Sequence, residues 1–462
     1  MSEKSISKTV VINIASSVIL QGIAFLTTPY FSRALGKEQF GIYSVYNSWV
    51  AVLTCIVGLG VTNSLATGKY SFEKDYLNFR SNILILAVGI SSVLFLVYLG
   101  FIGMVSKMLG FGLGLSSLLY FTAMGRGIIS YIQEMMIYEK KPLSNLILSC
   151  CVSVSCVALS VVLINIGTYE KSIGRIYGAS FPYIVIALIV AIVIIFQNPI
   201  MIKKEYCIYG FAVGTPIVFH LLGHSVLSQA DRIVMERSGV ENAEIGVYSL
   251  YCTVITALRT VLNAINTSWC PFYYDDLNHK DWNALEIKCK NYIELFTALT
   301  IAFVLAVREL GMIMGNEEYW GRLEMLPMMV LPVYFTFLYQ FPVNFEFYNK
   351  KTKIIAAGTV GAATIDLVLN YMLIGRYGMT GAIVASIVSY LLLFCFHLYV
   401  AGRINSMSFH MRLKEFIPGI IAVVGAIVAS RLLLYKPVVR WIIALSIGII
   451  EVIKMFKRRS IF

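Results

Sequence analysis

The chain has 462 residues, of which 58% are hydrophobic and only 13% charged, with a mean hydropathy of +0.78. A soluble domain of this length cannot hide that much apolar surface, so the chain reads as a polytopic membrane protein. Its net charge of +12 would suggest nucleic acid in a soluble protein. Here basic residues holding loops at the inner membrane face account for it, and no nucleic-acid partner is expected.

The apolar runs are unbroken and long enough to cross as helices, whereas a barrel would alternate. The expected fold class is an all-α membrane protein with about 14 transmembrane helices. In order they cover residues 10–31, 40–66, 82–106, 113–137, 145–166, 175–197, 208–230, 245–269, 291–308, 324–347, 354–374, 381–401, 417–434 and 438–456. Lys4 and Lys8 precede the first run, and no small-residue cleavage site follows, so this run reads as a span rather than a signal peptide. The cysteines lie mostly in apolar segments without metal spacing, and no disulfides are expected. An even count puts both termini on one side. With the termini in the cytoplasm, 22 basic residues fall in inner loops and 13 in outer ones, the asymmetry that orients membrane proteins.

The loops are short. Pro271–Lys290 reads as a short cytoplasmic helix at the interface, and Gly402–Phe416 as a surface-lying amphipathic segment. Neither can hold a folded domain, so catalysis outside the membrane is not expected. A glycine-rich phosphate loop is missing, and Asp275-Asp276 is a bare pair. Two internal matches organise the chain. Gly41-Ile42-Tyr43-Ser44-Val45-Tyr46 returns as Gly246-Val247-Tyr248-Ser249-Leu250-Tyr251, and Gly174–Ser180 is echoed by Gly375–Gly381. Spans 1–6 and 7–12 therefore form two six-helix bundles, residues 1–200 and 201–402. Residues 403–462 add an amphipathic linker and two further helices. Two facing bundles are the architecture of an alternating-access carrier, with its substrate site between the halves.

Charges inside spans are costly and mark function by default. Arg126 lies in span 4 and Arg259 in span 8; Arg33 and Arg232 lie at the outer ends of spans 1 and 7. Together they would make an arginine-lined cavity suited to a phosphate or diphosphate. The competing reading is snorkelling, or pairing with a carboxylate such as Glu134. Asn63, Gln229 and Asn263, with Asn266, Asn344 and Glu346, would bond sugar hydroxyls or join helices. Asp366 and Asn370 share a helix face and, with Asp231, would hold a cation or a proton. The competing reading is a carboxylate that is protonated or paired. His220 and His224 form HLLGH, which lacks the glutamate of the zinc-protease motif, so packing is expected. Pro29, Pro182, Pro216, Pro327, Pro332 and Pro342 fall within spans and permit bends.

Three runs carry a resemblance: Arg33…Gly36…Phe40-Gly41-Ile42-Tyr43; Gln229-x-Asp231-Arg232 with Gly246-Val247-Tyr248; and Asn370…Tyr377-Gly378…Gly381-Ala382. They resemble the polysaccharide biosynthesis (oligosaccharide flippase, Wzx-type) proteins of the multidrug/oligosaccharidyl-lipid/polysaccharide exporter superfamily. The resemblance implies a flippase of the bacterial inner membrane with both termini cytoplasmic. It would carry an undecaprenyl-diphosphate-linked oligosaccharide from the cytoplasmic to the outer leaflet, for O-antigen, capsule or exopolysaccharide assembly. It implies two bundles in a V and two extra helices beside a groove for the lipid tail. It also implies a sodium site on a late helix, which Asp366 and Asn370 resemble in spacing. No cofactor is implied beyond a coupling Na+ or H+. The implied partners are the lipid-linked substrate, membrane lipids and a polysaccharide polymerase, around a monomer. The alternatives are a cation-coupled multidrug exporter of the same superfamily, whose cavity would want carboxylates, and a membrane polysaccharide polymerase, which would need a large outer loop.

Overall fold

The computed structural model describes residues 3–58, 60–197, 202–404 and 411–458, with side chains from Gly22 onward apart from Ala24, Phe456 and Arg458. Among these residues every regular element is a helix. They pack into two compact units, one reaching Arg237 and including Glu241–Ile245, the other comprising Ser238–Val240 and the chain from Gly246.

The first unit opens with α1 (Glu3–Ile56), which is two helices divided at Gly36. There φ is +71°, a conformation that costs glycine little and other residues more. A short break leads through a 3-10 turn (Val61–Ser64) to α2 (Leu65–Ser71). Then come α3 (Tyr76–Gly100), α4 (Ile102–Leu109), α5 (Leu113–Tyr138), α6 (Pro142–Ile166), α7 (Lys171–Phe196) and α8 (Lys204–Arg237). Helix α8 packs on α1 and on the 3-10 turn. The approach is backbone to backbone: a Cβ at Gly214 would lie 2.3 Å from the Gly60 carbonyl. The packing unit therefore runs past residue 200, where the sequence repeat divides the chain.

The second unit holds α9 (Asn242–His279), α10 (Trp282–Met314), two 3-10 segments (Glu317–Met325 and Met328–Val330), α11 (Leu331–Tyr348), α12 (Thr352–Tyr377), α13 (Met379–Ile404), α14 (Leu413–Leu432) and α15 (Pro437–Arg458). An aromatic cluster of Trp269, Tyr292, Phe337 and Phe341 ties α9, α10 and α11 together.

Each expected span has its helix. Among the described residues ten helices are long and apolar enough to cross alone, and two bent pairs, at 52° and 86°, raise that to 12. Most of the expected first span, 10–31, and α15, with Arg440, Glu451 and Lys454 in its apolar stretch, stand outside that count. The expected interfacial helix at Pro271–Lys290 is not separate. Helices α9 and α10 extend to meet at Lys280-Asp281, where the Asp281 carboxylate caps Ala284 N at 3.0 Å. Buried Tyr273, Leu277, Leu285 and Cys289 and the Asp276–Lys288 ion pair at 2.7 Å hold these extensions. Of the expected surface segment Gly402–Phe416, residues 405–410 lie outside the described part.

Candidate functional site

Arg126 is half-buried in the first unit, where α5 faces α1 and α7. Its Nη2 donates to Asn47 Oδ1 at 2.8 Å, and its guanidinium lies 5.1 Å from the Tyr183 ring centre. Nearby, Tyr46 Oη lies 3.4 Å from Thr122 Oγ1 and 3.3 Å from Ser180 Oγ. A second guanidinium, Arg175 on α7, bonds Ser160 Oγ at 2.6 Å and sits over Phe31 and Tyr43, 3.8 and 4.9 Å from their centres. Among the described residues neither arginine has a carboxylate within ion-pair distance. Arg126 is therefore not paired with Glu134. Two permanent cations stand among neutral hydroxyl, amide and aromatic groups, an environment that favours an anion.

The other expected residues divide between the units. Gln229 Oε1 accepts from Ser48 Oγ and from Arg232 Nη1, both at 3.1 Å, and Arg232 also bonds the Ser228 carbonyl. Arg33 is exposed. Asn63 bonds the Gly60 carbonyl at 3.1 Å and lines a cavity of about 140 Å³ with Thr54, Thr62, Ser91, Ser130 and Tyr131. That cavity forms where the helix breaks after Ile56, a place where freed backbone groups can face a ligand. In the second unit, Arg259 is half-buried on α9 and Asn263 is exposed. Asn344 donates to Asn266 at 3.3 Å, a bond between helices. Asp366 and Asn370 are fully buried and joined by a 3.0 Å bond from Nδ2 to Oδ2. Asp231, 4% exposed, belongs to the first unit. No three His, Cys, Asp or Glu side chains among the described residues gather as a metal would require.

Sequence reasoning missed Arg175, Asn47 and the pair Glu346–His397. In the sequence Arg175 stands at the edge of the expected span 175–197, second in one of the repeated motifs. The only signal for it was that Gly174–Ser180 and Gly375–Gly381 both carry Gly-Arg.

The sequence profile of the family described as polysaccharide biosynthesis protein matches residues 6–274. The chain belongs to this family. Two Haemophilus influenzae proteins are similar to it: a membrane protein, 23% identical over 359 residues, covering 75% of this chain and 84% of the relative, and a product of the Lsg locus, 21% identical over 356 residues, covering 73% and 84%. Among solved structures, the lipid II flippase MurJ in an inward closed conformation superposes with a TM-score of 0.64 at 12% identity, covering 97% of this chain and 99% of that one. An inward-facing MATE multidrug transporter superposes with a TM-score of 0.64 at 13% identity, covering 86% and 99%. At these identities the likeness is one of fold. The chain is a multi-pass membrane protein of the polysaccharide biosynthesis family with the fold shared by MurJ and MATE transporters.

Proposed function

We propose that this family member is a flippase of the bacterial inner membrane. It carries an undecaprenyl-diphosphate-linked oligosaccharide from the cytoplasmic to the outer leaflet, for O-antigen, capsule or exopolysaccharide assembly. The observation that carries this reading is Arg126, an interior cation with amide and aromatic neighbours and no carboxylate. A diphosphate supplies the missing anion, and a guanidinium stays charged and can bind two oxygens at once. Arg33, Arg232 and Arg259 would serve the same anion along its path, and Asn63, Gln229 and Asn263 the sugar hydroxyls. The lipid tail would lie beside α10, α14 and α15, along Ile293, Ala298, Ile301, Ala422 and Ile447 of a groove of about 460 Å³ that Lys290, Glu294, Glu415, Glu451 and Lys454 also line. A coupling Na+ or H+ and a partner polymerase complete the proposal. A multidrug exporter fits less well, because cationic drugs want carboxylates where Arg126 and Arg175 stand.

Purified protein in liposomes with a lipid-linked oligosaccharide tests this. Outward exposure of the glycan should depend on the protein and should be lost in Arg126→Ala and Arg259→Ala, both recovered at wild-type yield. Normal exposure in both variants would remove the arginines from the path. Failure with several such lipids, together with gradient-driven efflux of a cationic dye, would replace the flippase with the exporter.

A further inference from the structure

The second unit contains a charged pair that the flippase reading does not use. Glu346, near the end of α11, and His397, on α13, are both fully buried. Nδ1 of His397 lies 2.9 Å from each carboxylate oxygen of Glu346. Both distances suit one N–H shared between two oxygens of an ionised carboxylate. On the far side of the ring, Nε2 has no hydrogen-bond partner. It rests against α12 at Gly358, where a Cβ would fall 2.4 Å from it. Only glycine leaves room for the ring there.

One proton decides the charge of this junction. With Nε2 bare the pair carries a net charge of −1; with Nε2 protonated it is neutral. The surrounding groups do not supply a competing cation. The Tyr339 ring of α11 lies 5.0 Å from the imidazole, and Tyr390 of α13 lies close to Tyr339. On α12, Asp366 is eight residues beyond Gly358, about 12 Å along the axis, and is bonded to Asn370. Lys350, Lys351, Lys353 and Arg403 are exposed at the same end of the unit. Among the described residues His397 is the one basic group within ion-pair distance of Glu346.

We propose that Glu346 and His397 form a proton-binding site, held as carboxylate and imidazolium in the closed unit. A proton from water bonds to Nε2 of His397, Glu346 stays ionised, and the net charge rises from −1 to zero. The site lies one to two turns from the end of the unit that carries the lysine run Lys350-Lys351 and Lys353, the end that charge asymmetry assigns to the cytoplasm. Because both side chains are sealed, exchange with water requires α11, α12 and α13 to part at that end. Proton exchange and this opening are then one linked equilibrium. The consequence for transport rests on the flippase reading, whereas the proton site does not.

The chain has five histidines, so nitrogen-15 NMR of the histidine-labelled full-length protein in lipid can follow each ring through a pH series. We expect one ring in the closed protein with both nitrogens protonated, absent from His397→Gln and converted to a neutral ring in Glu346→Gln. A His397 ring that is neutral throughout the series in the wild type would overturn the site, whether or not the variants fold. A ring unchanged by Glu346→Gln in folded protein would do the same. In liposomes, flipping should respond to a pH gradient in the wild type and lose that response in His397→Gln. Equal wild-type flipping with and without the gradient overturns the link to transport. A protein with the histidine signal but no flipping overturns the flippase reading and upholds the proton site.

Discussion

Arg80 and Arg126 stand in the same unit, and their neighbours give them opposite roles. Arg80 is 6% exposed, ion-paired with Glu139, and its carbonyl accepts from Tyr131 Oη at 2.5 Å. Removing one member of such a buried pair leaves an uncompensated charge, which costs about 3–5 kcal/mol. Glu139→Gln should therefore lower the thermal midpoint of the detergent-solubilised protein markedly. Arg126 has no carboxylate to strand. Arg126→Gln should leave that midpoint near the wild-type value while abolishing glycan exposure in liposomes. If the two variants destabilise alike, Arg126 is a structural arginine. The sequence flagged Arg126 because it falls in the middle of an apolar run. It did not reveal Arg80 as an interior group, because α3 begins at Tyr76, ahead of the hydropathic edge at residue 82. Nor did it mark Asn47, a single amide in an aromatic stretch, whose role comes from α5 folding against α1.

At the level of elements, the repeated motifs mark places where two helices touch through a glycine. On α7, a Cβ at Gly178 would lie 2.3 Å from Ser160 Cα on α6; on α13, a Cβ at Gly381 would lie 2.6 Å from the Leu373 backbone on α12. Small residues allow this approach, and within a membrane close packing is what holds helices together. Gly178→Val and Gly381→Val should each destabilise the protein by about 1–3 kcal/mol through overpacking, measurable as a lower unfolding midpoint. A midpoint unchanged in both would mean that the helices separate without cost. The repeat was legible because a local motif recurs; the glycine contacts within it appear only where α6 packs on α7 and α12 on α13. Gly36 and Gly239, at φ +71° and +75°, each lie shortly before one copy of the repeated run Gly41–Tyr46 and Gly246–Tyr251. The joint between α9 and α10 was not legible. Its polar residues read as a separate short helix at the interface, and only the Asp276–Lys288 pair and the buried Tyr273 and Leu285, brought together by folding, show them to be the ends of α9 and α10.

For the whole molecule, the number of crossings turns on α15. Its charges, Arg440, Glu451 and Lys454, set it apart from the ten helices that could cross alone among the described residues. Those charges are matched within the unit: Arg440, 1% exposed, pairs with Glu309, and Lys454 pairs with Glu294 and Glu451. Arg440 Nη1 also bonds the Leu305 carbonyl at 3.2 Å. A helix whose charges are met by the neighbouring α10 can cross where an isolated one would not. Its outward face is Val438, Ile442, Leu445, Ile449 and Ile453, all exposed, as a lipid-facing helix would have. If α15 crosses, both termini lie on the same side; if it lies on the surface, the C-terminus falls on the opposite side. A fluorescent reporter joined after Phe462 should therefore light up, as should one before Met1, while a phosphatase inserted at Lys436 should be active only outside. Changing Glu309 and Glu294 to glutamine should strand Arg440 and Lys454 and make the C-terminal position heterogeneous. A C-terminal reporter that reads outside in the unaltered protein would reduce the crossings by one and leave α15 at the membrane surface.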